Sequence, residues 1–274
     1  MHGHDASTAA DRAFLGLEIT GDGAAAFELA PHLARPDGFL FGGTAMAAAV
    51  TMAEHVTGRP SLWTTVQFVA GSCQVGDQVE LRAEVRAHGH RASQVRVEAR
   101  AGGELIFDAL GATALAKEGA PQAALTPAMP RTRPPATGEP WTLPLALSAP
   151  EARSRGFLER AEVRYAATED PDEQRYLLWA RVPERPLTPA LLGFLCDWVP
   201  SSIVNALGRF GGGRSLDNTL RVGTLVPSEW LLVDFDPHLA DRGFGHGAAR
   251  LWAEDGTLLG VASQTSTLIA HDPA

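Results

Sequence analysis

The spacing of apolar and polar positions changes several times along the chain, and each change marks an element. Residues 1–12 are polar and read as a frayed end. Residues 13–30 alternate around the turn Gly21-Asp22-Gly23, the pattern of a β-hairpin. Phe39-Leu40-Phe41-Gly42-Gly43 then leads into Thr44–Val56, an Ala- and Met-rich run closed by Gly58 and Pro60. Its small side chains predict a buried helix that a sheet can wrap closely. Strand-like runs follow at Trp63–Val69, at Val79–Val85 after the Gly76-Asp77 turn, at Val95–Ala99 and at Leu105–Ala116. In the third of these, Val95, Val97 and Ala99 alternate with Gln94, Arg96, Glu98 and Arg100, so one face is wet. Residues 118–150 are rich in Pro, Ala and Thr and read as an extended linker. Beyond it the order repeats. Phe157–Thr168 and Gln174–Val182 read as strands and Pro189–Leu207 as a second central helix. After a connection containing Gly208 and Gly211–Gly213, strands are expected near Ser215–Leu225, Glu229–Phe235, Gly247–Ala253 and Thr257–Ile269.

The repetition has a nearly constant offset. Gly43 opens the first helical run, and Asp197 stands 154 positions later in the second. Ser61-Leu62 is answered by Ser215-Leu216 at the same offset. The Gly102-Gly103 turn corresponds to Asp255-Gly256, and Gly111 to Gln264 at an offset of 153. Asp197, Ser215 and Gln264 thus face Gly43, Ser61 and Gly111 in the alignment. Two copies of one scaffold, with this polar trio complete in the second only, predict a fused pseudo-symmetric pair with one chemical site.

Composition narrows the possibilities. The chain has 274 residues, 45% of them hydrophobic, enough to build a core. No apolar stretch reaches the roughly 18 residues that cross a bilayer, so no membrane association is expected. Met1-His2-Gly3-His4-Asp5 has neither a basic nor an apolar leader region, so no signal peptide is expected. Cys73 and Cys196 lie far apart and predict free thiols in a reducing cytoplasm. A net charge of −9 argues against nucleic acid as partner. The histidines are scattered, without metal-site spacing, and no metal is expected. No Gly-x-Ser-x-Gly elbow and no phosphate loop is present.

A helix of small residues wrapped by a curled antiparallel sheet, occurring twice, is the α+β double-hotdog architecture. Its two units are expected to pair into one continuous sheet with both helices on one side. The reading divides the chain into an N-terminal unit at 13–117, a linker at 118–152 and a C-terminal unit at 153–270. The chain resembles the acyl-CoA thioesterase II family in Phe41-Gly42-Gly43, Leu195-Cys196-Asp197-Trp198, Ser215-Leu216-Asp217, Glu229-Trp230-Leu231-Leu232 and the run from Gly256 to Thr265. The resemblance implies a catalytic aspartate on the second helix, a threonine or serine on the next strand and a glutamine on the last. Asp197, Ser215 and Gln264 match these positions, which the duplication also singles out. Departures are Ser215 for the usual threonine, Asn218 for a histidine, and Thr265-Ser266 after the glutamine.

The expected chemistry is hydrolysis of acyl-CoA thioesters by direct attack of water. Asp197 serves as base, Gln264 holds the water through its amide and Ser215 bridges the two. Backbone N–H groups at Gly42, Gly43 and Thr44 are expected to bind substrate and stabilise the oxyanion, with Asp217 on the face of Ser215. No resident cofactor is needed, because CoA belongs to the substrate and product. Association of fused pairs into a homo-oligomer is expected. Cys196 reads as a packing residue rather than a nucleophile. Trp63, Trp198 and Trp230 could line an acyl channel but suit a core, and Arg209, Arg214 and Arg221 could meet CoA phosphates. Two alternatives are a hotdog hydratase, which needs an acid–histidine pair, and an acyl-thioester-binding protein without turnover.

Overall fold

The computed structural model describes residues 2–142, 155–169 and 175–271. Its helices are α1 (His2–Leu15), α2 (Gly42–Thr57), α3 (Pro189–Leu195) and α4 (Val199–Ala206). The first-half strands are β1 (Glu18–Gly21), β2 (Ala24–Glu28), β3 (Ser61–Phe68), β4 (Gln78–His88), β5 (Ala92–Ala101) and β6 (Glu104–Ala114). The second half supplies β7 (Glu162–Tyr165), β8 (Leu177–Arg181), β9 (Phe210–Val222), β10 (Leu231–Asp241), β11 (Phe244–Ala253) and β12 (Leu258–His271). They form one twelve-stranded sheet in the order β1-β2-β4-β5-β6-β3-β9-β12-β11-β10-β8-β7. The halves meet at β3 and β9, which run antiparallel.

The β3–β9 seam carries the pseudo-symmetry. Thr65 pairs with Thr219, its own counterpart 154 residues on, and their hydroxyl oxygens are 2.9 Å apart. Pairing repeats on either side of this axis. Thr64 lies opposite Gly111 in one half, and Asn218 opposite Gln264 in the other. Each half also carries a bulge at the same place, with Leu62 left out of the pairing between Ser61 and Trp63 and Leu216 between Ser215 and Asp217.

The main hydrophobic core lies where α2, α3 and α4 pack against the sheet. α2 is buried without a break from Gly43 to Glu54, and its alanines let strands approach on one side and α3 on the other. It ends at Gly58, whose φ of 62° suits glycine and whose N–H closes on the Glu54 carbonyl. α2 and α3 touch through glycines: a side chain at Gly43 would strike the Phe194 carbonyl, and one at Gly193 the Met46 side chain.

Four expectations are corrected. The polar N-terminus forms α1 instead of fraying, because Phe14 packs edge-on against Phe194 at 5.1 Å. Buried Asp11 also accepts a hydrogen bond from Thr188 and pairs with Arg185, so tertiary docking supplies what the local sequence lacks. Phe157–Thr168 is not one strand: Gly156–Glu159 is a 3-10 turn and only β7 pairs. The helix expected over Pro189–Leu207 is broken at Cys196-Asp197-Trp198. Pro200 lacks an N–H, and its ring would clash with the Cys196 carbonyl in a continuous helix. Finally, Gly211–Gly213 is part of β9, not a connection. In the strand expected from Gln174, residue 174 lies outside the described residues and β8 begins at Leu177.

The proline-rich linker runs along the outer edge of β7. Trp141 N–H donates to Val163 and Tyr165 N–H to Glu139, and Arg133 N–H donates to Ala167. The linker thereby covers an edge strand and delivers Trp141 to the interior.

Candidate active site

The break between α3 and α4 sets Asp197 against the N-terminus of α2. The Gly43 N–H donates to its carboxylate, and a Cβ added to Gly42 would lie 2.5 Å from its Oδ2. Only glycine at 42 allows this approach. From the sheet, Gln264 Nε2 and Asn218 Nδ2 both donate to Asp197 Oδ1, the latter at 3.1 Å. Gln264 Nε2 also donates to Ser215 Oγ at 2.8 Å. The structure thus brings together Asp197, Ser215 and Gln264 from α3–α4, β9 and β12.

Asp197 is 9% exposed, and Gln264 and Asn218 are 1% exposed. Burial raises the Asp197 pKa from its usual value to about 7, against the opposing pull of the Gln264, Gly43 and Asn218 hydrogen bonds and the Arg35 charge. A carboxylate so placed changes protonation near neutral pH.

The bulge at Leu216 explains which side chains face Asp197. Without it, Ser215 and Asn218, three residues apart, would point to opposite faces of β9. With it, both join Gln264, while Asp217 turns to the other face and caps the bulge, accepting the Thr265 N–H at 2.9 Å. Asp217 therefore does not share the face of Ser215, and it does not line the cavity described next. Thr44 also lies away from it. That residue is fully buried, with its hydroxyl on the Leu33 carbonyl at 2.7 Å and its N–H on Phe41.

A cavity of about 460 Å³ opens beside this group and is lined by Asp197, Ser215 and Gly42, but not by Gln264. One end is closed by Phe41, Trp141, Phe157 and Trp198, all buried. The other end, at Val69, Arg214, Leu216, Ile269 and His271, is exposed. Of the three tryptophans considered, only Trp198 lines the cavity. Trp230 sits in a separate cluster with Trp179 and Trp252, under the Arg181 guanidinium. Of the three arginines considered, only Arg214 lines it. Cys196 is buried, its Sγ 3.6 Å from the Gly193 carbonyl, and burial pushes its thiol far up, which leaves it inert. Among the described residues, no group of three His, Cys, Asp or Glu side chains could hold a metal ion.

Sequence reasoning passed over Asn218, Trp141 and Phe157 as parts of the site. Asn218 stood only as a departure from the family pattern; the bulge at Leu216 that turns it toward Asp197 leaves no signal in the sequence. Trp141 sits in a linker that carried no strand pattern.

Two family models match the chain: the acyl-CoA thioesterase N-terminal domain over residues 31–116 and the acyl-CoA thioesterase C-terminal domain over 130–268. Among solved structures, one from Novosphingobium aromaticivorans, described as a candidate thioesterase, is 30% identical. It covers 92% of this chain and 98% of its own, with a TM-score of 0.82. The tesB protein of Mycobacterium avium subsp. paratuberculosis (21% identity, 96% and 99% covered, TM-score 0.72) shares the fold. So does the acyl-CoA thioesterase II TesB2 of Mycobacterium marinum (19%, 97% and 98%, 0.69). No curated protein sequence matches significantly. The matches to both halves, in order and over nearly the whole length, show that this double-hotdog chain belongs to the acyl-CoA thioesterase family and is a thioesterase.

Proposed function

We propose that the chain hydrolyses acyl-CoA thioesters by direct attack of a water molecule activated by Asp197. The observation that carries this reading is the buried carboxylate on the cavity wall, held by Gln264, Asn218 and the start of α2, with its pKa raised to about 7. Asp197 Oδ1 is engaged by two amides, so Oδ2 is the oxygen left to accept a proton from water. Gln264 acts differently from the sequence expectation. Both of its amide protons are used, one on Asp197 and one on Ser215, so it positions those two side chains rather than the water. Ser215 Oγ accepts from Gln264 and keeps its own proton to donate to the water, which fixes a lone pair toward the thioester carbon.

Attack forms the C–O bond while the water proton passes to Asp197. The carbonyl electrons move to oxygen, where the Gly42 N–H at the positive end of α2 is the available donor. The Gly43 and Thr44 N–H groups are already spent on Asp197 and Phe41. Collapse breaks the C–S bond, and the CoA thiolate takes the proton back from Asp197. The products are the free acid and CoA. A hydratase would need an imidazole beside the acid, whereas Asp197 is held by two amides and a backbone N–H. The test is release of free CoA thiol by the wild type beside Gln264→Ala. The reading predicts turnover by the wild type and a fall in kcat of roughly 10²-fold in the variant. A Gln264→Ala variant with unchanged kcat would contradict the mechanism.

A further inference from the structure

The closed end of the cavity is built from rings. Phe41 and Phe157 stack at 4.3 Å between centroids, inclined by 17°. Trp198 lies 5.7 Å from Phe157 and 6.2 Å from Trp141, and Trp141 lies 6.4 Å from Phe157. Four separate segments converge to make this wall: the residue before α2, the linker along β7, the 3-10 turn at Gly156–Glu159 and the break that carries Asp197. All four rings touch the cavity that Asp197 and Ser215 also line. Trp141 is held by its Nε1 on the Tyr176 hydroxyl at 3.0 Å, which fixes the plane of its ring. Trp198 Nε1 is buried without a hydrogen-bond partner among the described residues, one residue from Asp197.

The direction of the cavity assigns its ends. The CoA portion is large and charged and must leave through the exposed end, where Arg214 and His271 lie. The acyl group then occupies the ring-walled end. We infer, on the thioesterase reading above, that this end selects aromatic acyl groups, so that arylacyl-CoA thioesters are preferred over straight-chain ones of equal carbon number. Aromatic contacts favour offset and edge-on geometries that a second ring satisfies and a flexible alkyl chain does not, and a rigid ring also loses less freedom on binding.

Phenylacetyl-CoA and octanoyl-CoA have acyl groups of eight carbons each, so their comparison separates ring character from size. Wild-type kcat/KM is expected to favour phenylacetyl-CoA by about tenfold or more. In Trp141→Leu and Phe157→Leu, checked for folding by circular dichroism, the aryl-to-alkyl ratio is expected to fall toward one. A wild-type preference for octanoyl-CoA, or a ratio unchanged in both variants, would overturn the inference while leaving the hydrolase reading intact. If neither thioester is hydrolysed, the hydrolase reading is decided on the wider acyl-CoA panel. Titration calorimetry with S-(2-phenylethyl)-CoA and S-octyl-CoA then decides on binding alone. Tighter binding of the aryl thioether supports the inference, and equal or weaker binding overturns it.

Discussion

At the scale of single residues, the central tension lies in Asp197. Burial penalises its charged form, while two amides, one backbone N–H and the Arg35 charge favour it, and the balance stands at about 7. The base is the ionised form, so kcat/KM should rise with pH through about 7 and level off above it. A pH–rate profile that is flat from pH 5.5 to 8.5 would rule Asp197 out as the base. Ser215 contributes one hydroxyl and no charge. Ser215→Ala should lower kcat by roughly tenfold, because one neutral hydrogen bond is lost, and Ser215→Thr should restore most of it. Asp197 and Gln264 could be found in the sequence because their first-half counterparts, Gly43 and Gly111, lack side chains and the contrast stood out; Ser215 faces an identical Ser61 and was marked by the family pattern instead. Asn218 could not be found that way. Its counterpart Thr64 is also polar, and its facing depends on a bulge that strict alternation along a strand does not foresee.

At the scale of elements, local backbone irregularities position the chemistry. Pro200 ends α3 early and frees Asp197 to meet the start of α2, and the bulge at Leu216 turns Ser215 and Asn218 to one face. The proline was visible in the sequence; its weight was masked by the apolar run on both sides. α2 itself depends on glycine at its start. Gly42→Ala should fold but displace the carboxylate, with kcat falling at least about tenfold and the thermal midpoint changing little. The far end of α2 carries a second buried acid. Glu54 accepts the Ser61 N–H at 2.8 Å, and burial raises its pKa from 4.5 to about 7. Because the folded protein holds this proton more tightly than the unfolded chain, its stabilising effect is complete below about 4.5 and is lost as pH rises through about 7. Glu54→Gln keeps the acceptor and removes the titration. The variant should therefore gain stability relative to wild type between pH 5 and 7.5. Urea midpoints that move in parallel across that range would show that Glu54 does not titrate there.

At the scale of the whole molecule, fusion lets one half specialise. The sheet passes continuously through the Thr65–Thr219 axis, yet only the second half supplies the carboxylate and amides, while the first supplies the start of α2 that receives them. The account therefore predicts one binding site per chain, which calorimetry with a CoA thioether would read as a stoichiometry near one; a value near two would reveal a second site in the first half. The duplication was legible from the constant offset between matching residues, and one continuous sheet followed from the architecture that the repeats implied, whereas the order of the strands came only with the structure. α1 and the path of the linker were not legible, because both owe their structure to contacts far away in the chain. The most direct test of the central claim is CoA thiol release from an acyl-CoA panel, with phenylacetyl-CoA and octanoyl-CoA included, by wild type and by folded Asp197→Asn. The account predicts hydrolysis by the wild type and a loss of at least about 10²-fold in the variant. Equal turnover by both proteins, or none by the wild type on any member, would contradict it.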